Sequence, residues 1–375
     1  MTPLVPTPAS HHGSHRGLVT LDVVDALPGR VDAIVVPTNR PGHYLKNAIE
    51  CAARLDVPLV VLSSGRSSAA EAEKLARVSD VGMLAFDVSE VSGPLTPALA
   101  TTALLRGTLF RHRTDIGLKR NIGLLVSRLA GWEVVAFLDD DILMPDPRDI
   151  SAAAGLVCDG YAAVGLHIGG FPDNSVVCHA HRETGGDQGT FIGGGALVVS
   201  LEASSSFFPA IYNEDWFFLL NDRSLRRSAV IGNVLQRPYD PFVTARAQSE
   251  EFGDCLAEGV FALLDDDGNF DRALDVSYWR HFLGDRMSLI DSILDRIRSR
   301  GRRDDEALRM EIALRAARKH CEAIPPSLCV RYLKALALDR QTWVAHVDSV
   351  RRHVTDLRGA LRWLGLSGHG MHVTS

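Results

Sequence analysis

The run Val134-Val135-Ala136-Phe137-Leu138 contains no polar residue and stops at three consecutive carboxylates, Asp139, Asp140 and Asp141. A strand that is apolar throughout has no face to offer water, so it must be covered on both sides, as in a parallel sheet flanked by helices. Residues 33–36, 58–62 and 81–86 are short apolar runs of the same kind. Helical signals separate them. Leu45, Ala48, Ile49, Ala52 and Ala53 share one helix face, Ser68-Ala69-Ala70-Glu71 forms a capping box, and residues 117–129 form a further helix. Strands that alternate with helices predict an α/β fold with a largely parallel sheet.

Beyond about residue 150 the pattern changes. Residues 162–168 read as a strand, 169–190 as a long loop rich in Gly, His, Asp and Asn, and 190–192 and 196–199 as strands flanking a Gly193-Gly194-Gly195 turn. From about residue 250 helical spacing dominates, with Ile290, Ile293, Leu294 and Ile297 at i, i+3, i+4 and i+7. Arg296, Arg298, Arg300, Arg302 and Arg303, followed at once by Asp304-Asp305-Glu306, read as a solvated helix end and turn, with a phosphate or lipid-surface patch as the alternative. The 375 residues divide into a Pro/Ser/His-rich segment, 1–17, expected to be disordered; an α/β domain, 18–245; and a mainly helical region, 246–375.

Composition excludes several classes. With 46% apolar and 23% charged residues the chain is neither disordered nor collagen-like, and a net charge of −6 is a poor footing for nucleic-acid binding. Its six cysteines include no C-x-x-C pair, which favours reduced thiols over a zinc knuckle or a secreted disulfide framework. No apolar run approaches the ~18 residues of a membrane span. The first residues lack the apolar core of a signal peptide, so a cytoplasmic location is expected.

The acidic triplet carries the sharpest chemistry. In an open α/β sheet the carboxyl ends of the strands border the ligand crevice. Three adjacent carboxylates repel one another and need a counter-charge, which Mn²⁺ or Mg²⁺ supplies while keeping positions open for phosphate oxygens. If the strand continues, Asp139 and Asp141 point to one face and Asp140 to the other. An acidic turn after a strand is the plainer reading of the same residues. Asp265-Asp266-Asp267 is also a triplet, but it runs into Gly268-Asn269 and reads as a surface loop.

Three neighbours extend the motif. Val35-Val36-Pro37-Thr38-Asn39-Arg40 closes the first strand, Lys119-Arg120-Asn121-Ile122-Gly123 opens a helix one strand before the triplet, and Asn213-Glu214-Asp215-Trp216 follows about 75 residues after it. Together, over residues 31–245, these elements resemble the GT-A fold glycosyltransferases, especially the large family 2 type. The resemblance implies a Rossmann-like mixed, mostly parallel sheet flanked by helices. Residues 246–375 would be a helical extension that shapes the acceptor site or a homodimer contact. It further implies a hexosyltransferase-type enzyme that moves a sugar from a nucleotide-diphosphate donor to a hydroxyl-bearing acceptor, a small molecule or a glycan, with a divalent cation and with inversion. Under it, Pro37, Thr38, Asn39, Arg40, Ser64, Arg120, Asp139 and Asp140 bind the donor nucleotide. Asp141 and Asp139 hold the metal, and Asp215 with Glu214 is catalytic; on their own chemistry, Gly194 and Gly195, which let a ligand approach the backbone closely or form a flexible turn, the stacking ring of Trp216, and His179 of the Gly/His-rich segment are expected on the acceptor side.

The chain also departs from that pattern. The second strand ends in Leu62-Ser63-Ser64-Gly65 where the family has an Asp-rich turn, so Ser hydroxyls would replace a carboxylate beside the base or ribose. No His follows Glu214-Asp215 before His281, and the Gln/Arg-x-x-Arg-Trp element of processive synthases is absent. Two rivals remain open: a sugar nucleotidyltransferase, for which Thr38-Asn39-Arg40-Pro41-Gly42 is a poor match to the expected Gly-rich loop, and a catalytically inactive GT-A-like binding protein, against which the intact Asp139, Asp141 and Asp215 argue. His167, His179, His181, Arg182 and Asp187 read as a substrate-lining loop, a metal cage or a plain surface loop. His11, His12 and His15 sit on the expected disordered tail. Trp216 and its aromatic neighbours would offer a sugar-stacking surface, with Phe217 and Phe218 packed in the core.

Overall fold

The apolar runs at 33–36, 58–62, 81–86, 134–138, 162–168 and 196–199 all become strands of one sheet. The computed structural model describes residues 13–21, 23, 26–90, 95–171, 174–202, 206–266, 268–301, 304–353, 357–363 and 371–372. Its strands are β1 (Thr20–Leu21), β2 (Ala33–Thr38), β3 (Leu59–Ser63), β4 (Met83–Asp87), β5 (Val134–Leu138), β6 (Ile142–Leu143), β7 (Ala163–Gly170), β8 (Ala196–Ser200), β9 (Ser228–Gln236) and β10 (Met371–His372). The helices of the first half are α1 (Lys46–Leu55), α2 (Ala69–Ser79), α3 (Ala100–Leu105), α4 (Ile116–Leu129), α5 (Arg148–Cys158), α6 (Val176–Glu183) and α7 (Glu214–Leu219). Those of the second are α8 (Thr244–Asp266), α9 (Val276–Ser299), α10 (Asp305–Glu322), α11 (Pro326–His353) and α12 (Leu357–Trp363).

The sheet runs β1-β9-β7-β8-β5-β2-β3-β4-β10, with β6 paired to β9. Strands β4, β3, β2 and β5 are mutually parallel, in register Val35↔Val60 and Val35↔Phe137. β8 runs antiparallel to both β5 and β7, which makes the sheet mixed. Every residue of β2, β3 and β5 is buried, as their unbroken apolar character requires. Val35, Val60 and Phe137 face one apolar core with α4; Ile34, Val61 and Ala136 face the other with α1 and α5. This is the α/β class expected, a mostly parallel sheet flanked by helices with a helical C-terminal region. No helix among the described residues is long and apolar enough to cross a membrane.

Local chemistry fixes several ends. Ser68 caps α2 by accepting from the Glu71 amide, as its capping box predicts. Asp304 caps α10 in the same way, through the Ala307 amide. Asp339, on α11, accepts from the Ala100 and Thr101 amides and the Thr101 hydroxyl, so α11 clamps the start of α3. Arg286 of α9 lies fully buried among three carboxylates of α8. It reaches Glu251 at 2.9 Å, Asp254 at 2.5 Å and Glu258 at 3.0 Å.

The structure differs from the sequence expectations at four places. The Gly/His-rich stretch is not a plain loop, since Val176–Glu183 is a helix capped by Ser175. Residues 190–192 form no strand, and the triple glycine leads into β8 rather than turning a hairpin. Asp265 and Asp266 end α8 rather than standing in a loop. The tail expected to be disordered through Gly17 is ordered from Gly13. His15 is fully buried, stacked on Phe261 at 4.6 Å, and its Nδ1 accepts from the Ile192 amide at 3.1 Å. His11, His12, Asp267, Arg302 and Arg303 lie outside the described residues.

Candidate active site

At the carboxyl ends of β2 and β5 a cleft of about 540 Å³ opens, lined by Pro37, Thr38, Asn39, Arg40, Lys119, Asp139, Asp140 and Asp141 among others. β2 delivers Thr38 and the turn after it; β5 delivers the triplet. Residues expected from two separate motifs thus meet because their strands are hydrogen-bonded neighbours. Thr38 Oγ1 donates to Asp140 Oδ2 at 2.5 Å, and Arg40 binds Asp140 Oδ1 and reaches Asp141 Oδ2 at 2.9 Å. The alternation of a continuing strand would send Asp140 away from its neighbours, yet all three carboxylates line the cleft, since β5 ends at Leu138 and the chain turns.

Behind the cleft a second set of charges forms one network. Arg120 projects from α4 and donates to both oxygens of Asp139 at 3.0 Å and to Glu214 Oε1. Asp215 Oδ2 accepts the Gly194 amide at 2.5 Å, and Oδ1 accepts the Trp216 amide at 2.9 Å. The Asp139 amide in turn donates to the Gly195 carbonyl at 2.8 Å. Asn213 makes this possible by adopting the left-handed conformation (φ 59°), with its side chain anchored on Asp254 at 3.0 Å, so that Glu214 and Asp215 enter the first turn of α7. Gly194 has its own reason: a Cβ there would lie 2.4 Å from the Arg120 guanidinium.

Burial moves the acids upward. The Asp139 carboxyl is pushed up to about 7, because burial and its neighbours Asp141 and Asp140 outweigh Arg120. Glu214 and Asp215 are raised for the same first reason, with Arg120 pulling the other way. The Lys119 ammonium is lowered by burial against the pull of Asp115. Its Nζ donates to the Thr38 carbonyl at 2.8 Å and to Ser64 Oγ at 2.7 Å.

The remaining expected site residues fall in different places. Arg120 does not line the cleft: it is buried behind Asp139 and pairs with Asp139 and Glu214. Ser64 sits one layer back, holding Lys119. Trp216 is 4% exposed and packs at 4.3 Å from His15 and 4.7 Å from Phe261, inside the core rather than on an open sugar-stacking face. His179 is buried on α6, its Nε2 2.8 Å from the Tyr239 hydroxyl. Tyr239 lines the cleft, as do Gln236, Asp240 and Arg246, none of which the sequence reading singled out. Lys119 stands directly before Arg120 in the Lys119-Arg120-Asn121 motif, and that adjacency is its signal in the sequence. Gln236 ends β9 and Tyr239 follows it, and no unbroken apolar run in the sequence marks that strand.

A divalent cation needs oxygen donors, and Asp139 and Asp141 offer them on one wall. Among the described residues, the groups whose donor atoms already converge are Glu251/Cys255/Cys321 and Cys178/Asp254/Glu258, not the triplet. Arg40 supplies the counter-charge to Asp140 and Asp141. The carboxylate oxygens of Asp139 and Asp141 are hard donors of the kind such a cation takes, and it would take them in competition with Arg120, which holds both oxygens of Asp139, and with Arg40, which reaches Asp141.

No protein-family model and no curated protein matches the chain. Among solved structures it is similar to glucosyl-3-phosphoglycerate synthase from Mycobacterium tuberculosis in complex with Mn²⁺, uridine diphosphate and phosphoglyceric acid, at 18% identity and TM-score 0.42, over 61% of this chain and 78% of that one. It is also similar to mannosyl-3-phosphoglycerate synthase from Rubrobacter xylanophilus, at 12% identity and TM-score 0.37, over 76% and 77%. A third likeness is to S. aureus TarS, at 14% identity and TM-score 0.36, over 78% and 90%. Likenesses this distant carry no functional conclusion by themselves.

Proposed function

We propose that the protein is a glycosyltransferase of GT-A, family 2-like type that moves a sugar from a nucleotide-diphosphate donor to a hydroxyl-bearing acceptor with inversion. The observation that carries this reading is the cleft itself. Three consecutive carboxylates and three cationic side chains, Arg40, Lys119 and Arg246, share one opening at the carboxyl ends of parallel strands. A phosphate ester with a bound cation suits that mixture, because it brings both a negative group for the bases and a positive one for the acids.

In this reading Pro37, Thr38, Asn39 and Arg40 border the base and ribose, and Arg40 leaves Asp140 and Asp141 to meet the diphosphate, for which its planar fork is suited. Asp141 and Asp139 hold Mn²⁺ or Mg²⁺, which when bound neutralises charge on the departing nucleotide. Arg120 is a positioning residue that fixes Asp139 and Glu214 relative to each other. Asp215 takes the acceptor's hydroxyl proton. The acceptor oxygen then bonds to the anomeric carbon as the bond from that carbon to the phosphate oxygen breaks, and the electron pair leaves with the nucleotide diphosphate. The Gly194 amide orients the Asp215 carboxylate, and burial raises its proton affinity toward the range useful for a base.

Isothermal calorimetry with a set of nucleoside diphosphates, with and without Mn²⁺, tests the donor half. One of them should bind in a Mn²⁺-dependent way, and Asp141→Asn should abolish that dependence. A chain that binds none would lose this assignment, and turnover dependent on pyrophosphate would replace it with the nucleotidyltransferase reading.

A further inference from the structure

A second cavity, of about 730 Å³, shares Thr114 and Asp115 with the donor cleft and lies on the other side of the first turn of α4. Its floor is apolar, with Leu99, Leu105, Leu118 and Phe208 among its lining residues. Its rim carries Arg106, Arg111 and Arg113. All three are exposed, and among the described residues none of them forms an ion pair. The one acid in the lining, Asp115, is already paired with Lys119 at 3.0 Å.

The segment that bears these arginines is fixed. Phe110 is buried against Phe252 and His320, Thr108 Oγ1 donates to the Leu105 carbonyl, and His112 Nδ1 lies 3.3 Å from the Ser249 carbonyl of α8. Burial lowers the His112 pKa, so the imidazole serves as an anchor between two charged neighbours. With Phe110 and His112 turned inward, Arg111 and Arg113 are turned outward. The opening turn of α4, fourteen residues long, adds its positive end to the same place. Three unpaired guanidinium groups over an apolar floor, joined to a fixed helix start, are complementary to one kind of ligand.

We propose that this cavity binds an anionic amphiphile, an apolar body ending in a phosphate or carboxylate, with the head on Arg106, Arg111 and Arg113. That its occupant is the acceptor rests on the glycosyltransferase reading, because the shared Thr114–Asp115 wall places the ligand against the donor cleft.

The test uses the full chain and four probes. Hexyl phosphate, hexanoate and hexyltrimethylammonium are titrated by calorimetry, and a nucleoside diphosphate with Mn²⁺ is titrated into the unmodified protein in parallel. At least one of the two anions should bind, the cation should not, and the doubly substituted Arg111→Glu/Arg113→Glu chain should bind that anion about tenfold more weakly or worse. Both positions are exposed, so circular dichroism of this variant should match the parent. Binding of hexyl phosphate alone assigns a phosphate head, and binding of hexanoate alone a carboxylate. The inference is overturned if neither anion binds, or if the double variant binds as well as the parent. Nucleotide binding without anion binding would sink this inference alone; the reverse would keep the anion site and remove the glycosyltransferase reading.

Discussion

Arg40 and Asp215 are the two residues at which the account is most exposed. Arg40 holds Asp140 and Asp141. Arg40→Ala should therefore weaken nucleotide binding and, in the opposite sense, tighten binding of bare Mn²⁺, because two carboxylates lose their counter-charge. Titration followed by the paramagnetic signal of free Mn²⁺ reads the second effect, and unchanged Mn²⁺ affinity would separate Arg40 from the metal site. Asp215→Asn keeps the shape and leaves Arg120 its partners Asp139 and Glu214. It should cut turnover by about 10²-fold or more with donor affinity nearly unchanged. Retention of most of the turnover would move the base elsewhere. At this scale the sequence was informative where a motif lay on a strand end: Thr38, Arg40 and Asp139–Asp141 share the cleft as expected. The spacing does not show that Gly194 leaves room for the Arg120 guanidinium, which Asp139 and Glu214 then enclose. Nor does it show the burial of Trp216, whose neighbours His15 and Phe261 come from distant parts of the chain.

Among the elements, the most consequential junction is that of α8 and α9. Arg286 answers Glu251, Asp254 and Glu258 with no water-facing side, so removing it strands buried acids. Arg286→Met should cost about 3–5 kcal/mol of stability, measured by denaturant unfolding; a cost below about 1 kcal/mol would mean the carboxylates are already protonated or hydrated. The same junction explains why the helical region was legible only as helix. Spacing marks an apolar stripe, as at Ile290 and Ile293, but α8 buries Glu250, Glu251, Asp254 and Glu258 as well, and a charged residue in sequence announces no core. Strands of continuous apolar residues were legible for the converse reason. β9 was missed because Gly232 and Asn233 interrupt Ser228–Gln236, and the ladder to β7 carries a register shift at Leu166/His167. α6 was missed because its Gly- and His-rich surroundings masked the Ser175 cap and the short apolar face of Val176, Val177 and Ala180.

For the whole molecule, burial of acids around the cleft and along α8 sets the pH response. Asp139 and Glu250 are each pushed up to about 7, chiefly by burial. In the unfolded chain such carboxyls titrate near 4. Between those values the folded state binds more protons than the unfolded state, so stability falls as pH rises. Scanning calorimetry at matched ionic strength should give a lower melting temperature at pH 8 than at pH 5.5, by about 1 °C for each kcal/mol lost at this chain length. Asp139→Asn should flatten the profile, and a melting temperature that rises over this interval would contradict the assignment. Sugar transfer requires the whole arrangement to act on one bond. The most direct measurement is chromatographic: incubate the full chain with a panel of nucleotide-diphosphate sugars and Mn²⁺, and follow release of the nucleotide diphosphate together with the fate of the sugar. One donor should yield nucleotide diphosphate and transferred or hydrolysed sugar of inverted configuration, EDTA should stop the release, and Asp141→Asn should do the same without unfolding the protein. No release from any donor, or full activity in EDTA, would contradict the glycosyltransferase reading.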